Sequence, residues 1–249
     1  MSPFILSIIS VLIICLLSVV GVLGLLLKHE ALNKVLIFLI SFSAGSLIGS
    51  AFLHILPDVI ADGRPALDSF VYLLVGFCFF FVLERFLRWR HCHEEECDTH
   101  EHLGWMNLAG GSIHNFIDGM VIASAFAVNP ALGWPVAFSI IFHEIPHELG
   151  DFGVLIYSGF KKGTALLYNF ISAAFAILGV FAVFFLFGAS QSFQNFLLPA
   201  AAGGFIYIAA SDLVPELHRE KNNTKAVFSF LVFILALVFM YLAKIWFES

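Results

Sequence analysis

Two short polar strings, His-Asn-Phe-Ile-Asp-Gly at 114–119 and His-Glu-Ile-Pro-His-Glu-Leu-Gly-Asp at 143–151, lie within long hydrophobic stretches. Their imidazoles and carboxylates are the ligand types that a borderline divalent cation such as zinc prefers. An ionisable side chain at membrane depth costs about 2.5–3.5 kcal/mol on insertion scales. The strings hold four acids, and no Lys or Arg occurs between Arg90 and Lys161 to balance them. The sequence therefore predicts a bound cation here.

The spacing within each string places the ligands along helices. At about 100° per residue, the His and acid residues of the second string share one half of a helix. In the first string, His114 and Asp118 lie one turn apart. We predict that these two faces meet around one or two cations. The candidate metal ligands are His114, Asn115, Asp118, His143, Glu144, His147, Glu148 and Asp151. Two further polar residues, Asn107 and Asn169, are weaker candidates, and an interhelical hydrogen bond is the alternative role for Asn169.

Pro146 interrupts the second string between its two histidines. Proline lacks an amide hydrogen, so it frees the carbonyl one turn earlier, at Phe142, and kinks a helix. Such helices are tolerated at membrane depth where they line a polar cavity. Gly119 and Gly150 are predicted to let neighbouring helices approach closely.

The composition indicates an all-α integral membrane protein. Of its 249 residues, 60% are hydrophobic and only 12% are charged, about half the usual charged share. Scattered Lys and Arg give no nucleic-acid surface, and four Cys give no disulfide framework. Spans of about 20 residues predict eight crossings in a single domain, 1–249, and the first is interpreted as a retained helix. The spans are 3–27, 34–56, 68–88, 104–128, 134–158, 163–187, 195–217 and 225–246.

The distribution of positive charge predicts the orientation. Ten of the 12 Lys and Arg residues flank the odd-numbered linkers, and only Arg64 and Lys244 lie on the other side. The positive-inside rule then places the ten in the cytosol and both termini outside. The third linker, 89–103, becomes a cytosolic metal-binding loop, or alternatively a solvated charged one. Its candidate ligands are His91, Cys92, His93, Cys97, His100 and His102.

The second and seventh spans resemble each other. Residues 44–58 and 202–216 share Ala, Gly, Ile, Ala and Pro at a constant offset of 158, and each segment ends in an acid. Because the charge bias makes these spans antiparallel, we predict an inverted repeat of helices 1–3 and 6–8 around helices 4 and 5. His54 and Asp58 would lie at the outer mouth, and Asp212, Glu216 and His218 at the inner mouth. Alternatively, each Pro-acid pair merely ends a helix near the headgroups.

The two strings together resemble the ZIP (Zrt/Irt-like) metal transporter family, in the branch with the longer fifth-helix motif. The resemblance implies that His114, Asn115, Asp118, His143, Glu144 and His147 line the transport site. It implies a homodimer that carries divalent ions into the cytosol by an elevator motion of helices 1, 4, 5 and 6 against 2, 3, 7 and 8. By the same resemblance, His143 at the first position of the fifth-helix motif favours zinc, with iron, manganese or cadmium as minor substrates, and no organic cofactor is expected. We expect the plasma membrane, with an organelle membrane as the alternative.

An enzyme is the competing class, because His143 to His147 also matches the His-Glu-x-x-His motif of zinc proteases, in which Glu144 would be the general base. Pro146 lies between the two histidines and disturbs that geometry. The strings also supply more ligands than one catalytic zinc with an open position requires. The sequence therefore favours transport over intramembrane proteolysis and leaves a non-transporting metal sensor as a third reading.

Overall fold

The computed structural model describes residues 1–19, 29–61, 65–89, 101–220 and 222–248, and within them every regular element is helical. The helices are α1 (Pro3–Leu17), α2 (29–61), α3 (Ala66–Trp89), α4 (Glu101–Val128), α5 (Pro130–Tyr157), α6 (Lys162–Leu186), α7 (Gln191–His218) and α8 (Asn223–Glu248). The predicted all-α class is confirmed. Residues 20–27 of the first predicted span, and 90–100 of the predicted metal-binding loop, lie outside the described residues.

Six of these helices are long and apolar enough to cross a membrane, namely α2, α3, α4, α6, α7 and α8. The described part of α1 is apolar but has only 15 residues. Helix α5 has 28 residues, but two prolines and the polar second string lower its hydropathy. The regular elements of the described residues are therefore all helical, and several of these helices could span a membrane. Eight crossings and external termini remain predictions.

Helix α5 begins four residues earlier than the predicted span. Asn129 has an extended backbone, and its side-chain oxygen accepts a hydrogen bond of 2.7 Å from the amide of Leu132. Pro130 follows at the first helical position, where a missing amide hydrogen costs nothing. An Asn-Pro pair is a usual helix start, and hydropathy alone did not reveal it.

Helices α2 and α7 each widen into a π-helical turn, at Ser50–Ile55 and Ala209–Leu213. Each turn is closed by an i→i−5 hydrogen bond, and the two bonds lie 158 residues apart, the offset of the sequence repeat. Pro57 and Pro215 follow directly. A proline ring crowds the carbonyl four residues earlier, which favours a wider turn before it.

The helices form two groups. Helices α1, α4, α5 and α6 pack against one another and form the first bundle, and helices α2, α3, α7 and α8 form the second. Within the second bundle, α3 packs mainly on α7 and α2 mainly on α8. The two bundles meet chiefly where α2 crosses α5. The second polar string of α5 is therefore positioned close to the contact between the bundles.

Glycines allow the closest helix contacts. A Cβ atom added to Gly119 of α4 would lie 2.0 Å from the carbonyl oxygen of Ala176 in α6, which confirms the close approach predicted there. Gly203 of α7 has the same relation to the carbonyl of Leu73 in α3, also at 2.0 Å. The same prediction for Gly150 was wrong, because Gly150 is exposed and a Cβ atom there would meet nothing within 4 Å.

Candidate metal centre

Two side chains of α4, His114 and Asp118, meet two of α5, His143 and Glu144; we call these four the central cluster. His114 Nε2 lies 3.1 Å from His143 Nε2, 3.2 Å from Glu144 Oε1 and 3.6 Å from Asp118 Oδ2. His143 Nε2 lies 3.3 Å from both Asp118 Oδ2 and Glu144 Oε1. All four residues are buried, and their ligand atoms lie within 4.8 Å of one another. The predicted meeting of the two strings is thus present for these four residues.

The separations in the central cluster fit a tetrahedral zinc ion. Zinc bonds to nitrogen and oxygen are about 2.0–2.2 Å long, so neighbouring ligands of a tetrahedral site lie about 3.3 Å apart. The measured separations around His114 and His143 run from 3.1 to 3.6 Å. A cation at the centre could therefore contact two imidazoles and two carboxylates with little movement of the protein. The two carboxylates would balance its double charge.

Hydrogen bonding in the central cluster also favours a cation. Within the described residues, Asp118 Oδ2 and both carboxylate oxygens of Glu144 are buried and accept no hydrogen bond. Such atoms are destabilising unless an opposite charge or a metal compensates them. His143 Nδ1 lies 3.3 Å from the carbonyl oxygen of Ser139. If Nδ1 donates this hydrogen bond, Nε2 keeps the lone pair that a metal requires.

His147 and Asp151 lie beside the central cluster rather than within it. The ring of His147 stacks on that of His114 with centroids 4.7 Å apart, and its Nδ1 lies 3.6 Å from Asp151 Oδ2. The His147 side chain is 35% exposed, whereas that of His143 is 2% exposed. His147 therefore lies between the buried cluster and the cavity described below.

Asn115, Glu148 and Asn169 form a second buried polar group next to the central cluster. The amide nitrogen of Asn169 donates a hydrogen bond to Glu148 Oε2 and also lies 3.5 Å from the carbonyl oxygen of Ser18. These contacts correspond to the interhelical role that was the alternative to metal binding at Asn169. Asn115 donates to the carbonyl of Gly111, and its Oδ1 has no hydrogen-bond partner within the described residues. That oxygen remains available to a cation.

A cavity of about 380 Å³ leads away from the central cluster; we call it the vestibule. It lies between the bundles, and its polar and charged lining residues are Glu84, Asn107, His114, His143, His147, Asp151, Tyr207, Asp212 and Glu216. No Lys or Arg is among the described residues that line it. Two lining residues were not predicted from the sequence, Glu84 and Tyr207, which bond to each other through the Tyr207 hydroxyl. Neither residue belongs to a motif, so only the packing of α3 on α7 reveals them.

Two of the predicted inner-mouth residues line the vestibule. Asp212 and Glu216 lie on its α7 wall, and Glu216 also bonds to Arg219 at 2.7 Å. His218 is exposed and is not among the lining residues. The vestibule therefore connects the central cluster to the end of the molecule where α7 ends.

The predicted outer-mouth residues lie near the other end of α8 and are already paired. His54 is buried and donates a hydrogen bond of 2.9 Å from Nε2 to the carbonyl oxygen of Met240. Asp58 Oδ1 lies 2.6 Å from Lys244 Nζ, near the end of α8. Because α8 is long enough to cross a membrane, Lys244 and the Glu216 end of the vestibule lie on opposite sides of the molecule.

A family model described as ZIP zinc transporter matches residues 2–102 and 88–243. The chain belongs to the ZIP family. It is 30% identical over 238 residues to zinc transporter ZIP13 of Pongo abelii, covering 88% of this chain and 70% of that protein. Zinc transporter YKE4 of Saccharomyces cerevisiae is 27% identical over 266 residues, covering 94% of this chain and 77% of that protein. For zinc transporter zipt-7.1 of Caenorhabditis briggsae the identity is 28% over 251 residues, with 76% and 64% covered, so the match spans slightly under two thirds of that relative.

Membership in the ZIP family decides against the protease reading, because ZIP proteins are transporters rather than enzymes. The geometry agrees. A zinc protease needs both histidines of His-Glu-x-x-His on one zinc ion. In this ZIP protein, His143 belongs to the central cluster, whereas His147 lies beside it and faces Asp151. The family and the apolar helices together identify an integral, multi-pass membrane protein.

Proposed function

We propose that this ZIP protein carries divalent metal ions, zinc first, into the cytosol through the central cluster. The observation that supports this proposal most strongly is the buried set of two imidazoles and two carboxylates at tetrahedral separations. Such a mixed set suits zinc, with iron, manganese and cadmium as minor substrates. Purely oxygen-liganded ions such as magnesium fit it poorly, because they demand octahedral coordination.

The path of the ion follows the graded exposure of the ligands. The central cluster is buried, His147 and Asp151 are partly exposed, and Asp212 and Glu216 lie at the far end of the vestibule. If the charge bias gives the orientation, the vestibule opens to the cytosol and this conformation faces inward. An ion would leave the central cluster past His147 and Asp151 along a wall that carries acidic residues and, among its described lining, no Lys or Arg.

An elevator mechanism is supported by the division into two bundles. The first bundle contains every residue of the central cluster, so it could carry the ion as a unit. The second bundle contains the opposite wall of the vestibule. We propose that α1, α4, α5 and α6 move against α2, α3, α7 and α8.

The proposed inverted repeat is supported by features at matching positions. The π-helical turns of α2 and α7 have the offset of the sequence repeat. Gly45 of α2 closely approaches the carbonyl of Phe233 in α8, and Gly203 of α7 closely approaches that of Leu73 in α3. Exchanging helices 1–3 with 6–8 turns the first contact into the second. Repeats of this kind place the substrate at the interface between the two copies.

The proposed assembly follows from the family resemblance, and the proposed location is the one expected in the sequence analysis. We propose a homodimer in the plasma membrane. Among the spans of the described residues, α3 and α8 are the least buried, with 17% and 28% of their most apolar windows inside the protein. Their outer faces are apolar, so they can contact lipid or a second copy.

Metal uptake by reconstituted vesicles tests the proposed function. Vesicles that contain the protein and a metal-sensitive dye should take up zinc with saturation, and iron, manganese and cadmium more slowly. Magnesium should not enter faster than in protein-free vesicles, because the central cluster does not provide octahedral oxygen coordination. Zinc entry that equals that of protein-free vesicles would refute the proposal.

The third linker gives a second test. We propose that its His and Cys residues capture metal at the exit without forming part of the conducting path. Replacing His91, His93, His100 and His102 with serine should keep zinc uptake. The rate of uptake should change by less than about tenfold. Even removing a residue that only supports a metal ligand lowers affinity or activity by about 10- to 100-fold, so a loop outside the conducting path should matter less. A correctly inserted loop variant that is as inactive as His143→Ala would contradict this role.

A further inference from the structure

Two serine hydroxyls form hydrogen bonds between the bundles. Ser43 of α2 donates a bond of 2.7 Å to the carbonyl oxygen of Phe142 in α5. Ser139 of α5 lies 3.0 Å from the carbonyl oxygen of Ser46 in α2, and 3.1 Å from that of Pro135 in its own helix. All three serines are fully buried, where a hydrogen bond is electrostatically stronger than in water. We call these two contacts the serine pair.

The Phe142 carbonyl needs a donor from outside its own helical turn, because the residue four positions later is a proline. In an ordinary helix the amide of residue 146 would donate to this carbonyl, but Pro146 has no amide hydrogen. The sequence predicts this free acceptor, and the structure adds its donor, which comes from the other bundle. A buried carbonyl without a donor is destabilising. Any sliding of α5 along α2 that breaks this contact therefore carries an energetic penalty.

The serine pair also flanks a residue of the central cluster. Phe142 directly precedes His143, and the carbonyl oxygen of Ser139 lies 3.3 Å from His143 Nδ1. Ser139 therefore contacts His143 through its carbonyl and α2 through its hydroxyl. The orientation of one candidate ligand and the docking of the two bundles share the same residue.

Four other side-chain contacts between helices of the described residues stay within one bundle. His54 joins α2 to α8, and Tyr207 joins α7 to α3, inside the second bundle. Asn169 joins α6 to α5, and Ser112 joins α4 to α6, inside the first. Contacts of these kinds would be kept if the bundles moved as units. The serine pair would not.

We propose that Ser43 and Ser139 are positioning residues that stabilise the inward-facing arrangement by holding α5 against α2. This inference rests on the proposed function. It adds that leaving the inward-facing state requires the Phe142 carbonyl to lose its donor. Removing the Ser43 hydroxyl should therefore shift the conformational equilibrium without removing any metal ligand.

The test measures conformation directly. Spin labels on a cysteine-free background, at Leu167 of α6 and Val227 of α8, place one label on an exposed position of each bundle. The labelled protein is diluted with unlabelled protein in vesicles so that only intramolecular distances are read. In Ser43→Ala the ratio of inward- to outward-facing molecules should fall about three- to tenfold, the effect of one buried hydrogen bond. Ser139→Ala should shift the ratio in the same direction.

A matched control and a double-mutant cycle separate this role from general destabilisation. Ser41 is also buried on α2, but its hydroxyl bonds to the carbonyl of Ile37 in its own helix at 2.6 Å, so Ser41→Ala should leave the ratio unchanged. Pro146→Ala restores an amide donor for the Phe142 carbonyl. In that background, Ser43→Ala should have little further effect.

The outcomes distinguish the two proposals. If wild-type vesicles take up zinc but Ser43→Ala and Ser139→Ala give the same distance distribution as Ser41→Ala, the role of the serine pair is wrong. A full Ser43→Ala effect in the Pro146→Ala background would also refute it. If wild-type vesicles take up no metal, the proposed function fails instead.

Discussion

Replacing His143 with alanine should reduce zinc uptake to the level of protein-free vesicles while the protein still inserts into the membrane. His143 Nε2 contacts three other members of the central cluster at 3.1–3.3 Å. Removing a partner that merely supports a ligand typically lowers metal affinity 10- to 100-fold, so the loss of the ligand itself should cost at least that. The variant also leaves two buried carboxylates with one fewer partner. Zinc uptake in reconstituted vesicles at several zinc concentrations provides the measurement.

His147→Ala should lower uptake strongly but less completely, because His147 lies between the central cluster and the vestibule. Ile141→Ala, which truncates a half-buried side chain of the same helix, serves as the control and should keep uptake. Equal, near-normal uptake by His143→Ala and Ile141→Ala would show that His143 does not bind the transported ion. In all three variants, surface labelling and size-exclusion profiles establish that the protein is inserted and folded.

The sequence predicts the helical class because hydrophobic runs and their spacing depend on local composition. It misses the start of α5, where Asn129 and Pro130 define the end of the helix by hydrogen bonding rather than by hydropathy. It also misses the π-helical turns of α2 and α7, which precede Pro57 and Pro215. Gly119 and Gly150 are equivalent in sequence terms, yet only Gly119 faces another helix closely. Facing partners are a property of packing, which a single sequence does not contain.

For the metal centre as well, the sequence predicts some features and misses others. Helical periodicity correctly brings His114 and Asp118 against His143 and Glu144, because spacing within a helix fixes a shared face. Periodicity does not separate these four residues from His147, since their rotamers and the neighbouring bundle decide which atoms converge. It also gives no sign of Glu84 and Tyr207 in the vestibule wall, because they reach it from helices that are distant in sequence.

Pro146 has one effect that the sequence predicts and a second that only the structure reveals. Its effect on the Phe142 carbonyl follows from covalent chemistry and is predictable from sequence. The donor that satisfies that carbonyl, Ser43, lies 99 residues away in the chain and in the other bundle. The hydrogen bond that is missing within α5 is thereby replaced by one between two bundles that are proposed to move past each other.

The largest effect on stability is expected at the glycine contact between α3 and α7. A Cβ atom on Gly203 would lie 2.0 Å from the carbonyl oxygen of Leu73 and 2.8 Å from the amide nitrogen of Phe77. Both atoms belong to the backbone, so no side-chain rotation can relieve the overlap, and the helices must separate. Overpacking of a buried contact costs about 1–3 kcal/mol, and a backbone clash belongs at the upper end of that range. Gly203→Ala should therefore lower the melting temperature in detergent and reduce the yield of monodisperse protein.

Gly153→Ala is the matched control for this prediction. Gly153 lies within α5, is exposed, and would place a new Cβ atom within 4 Å of nothing. Because alanine restricts the unfolded chain more than glycine does, this variant should be neutral or more stable by about 0.4–1 kcal/mol. The two substitutions add the same methyl group, so a difference in melting temperature reports the helix contact alone. Similar melting temperatures for Gly203→Ala and Gly153→Ala would mean that α3 and α7 do not approach as closely as the structure places them.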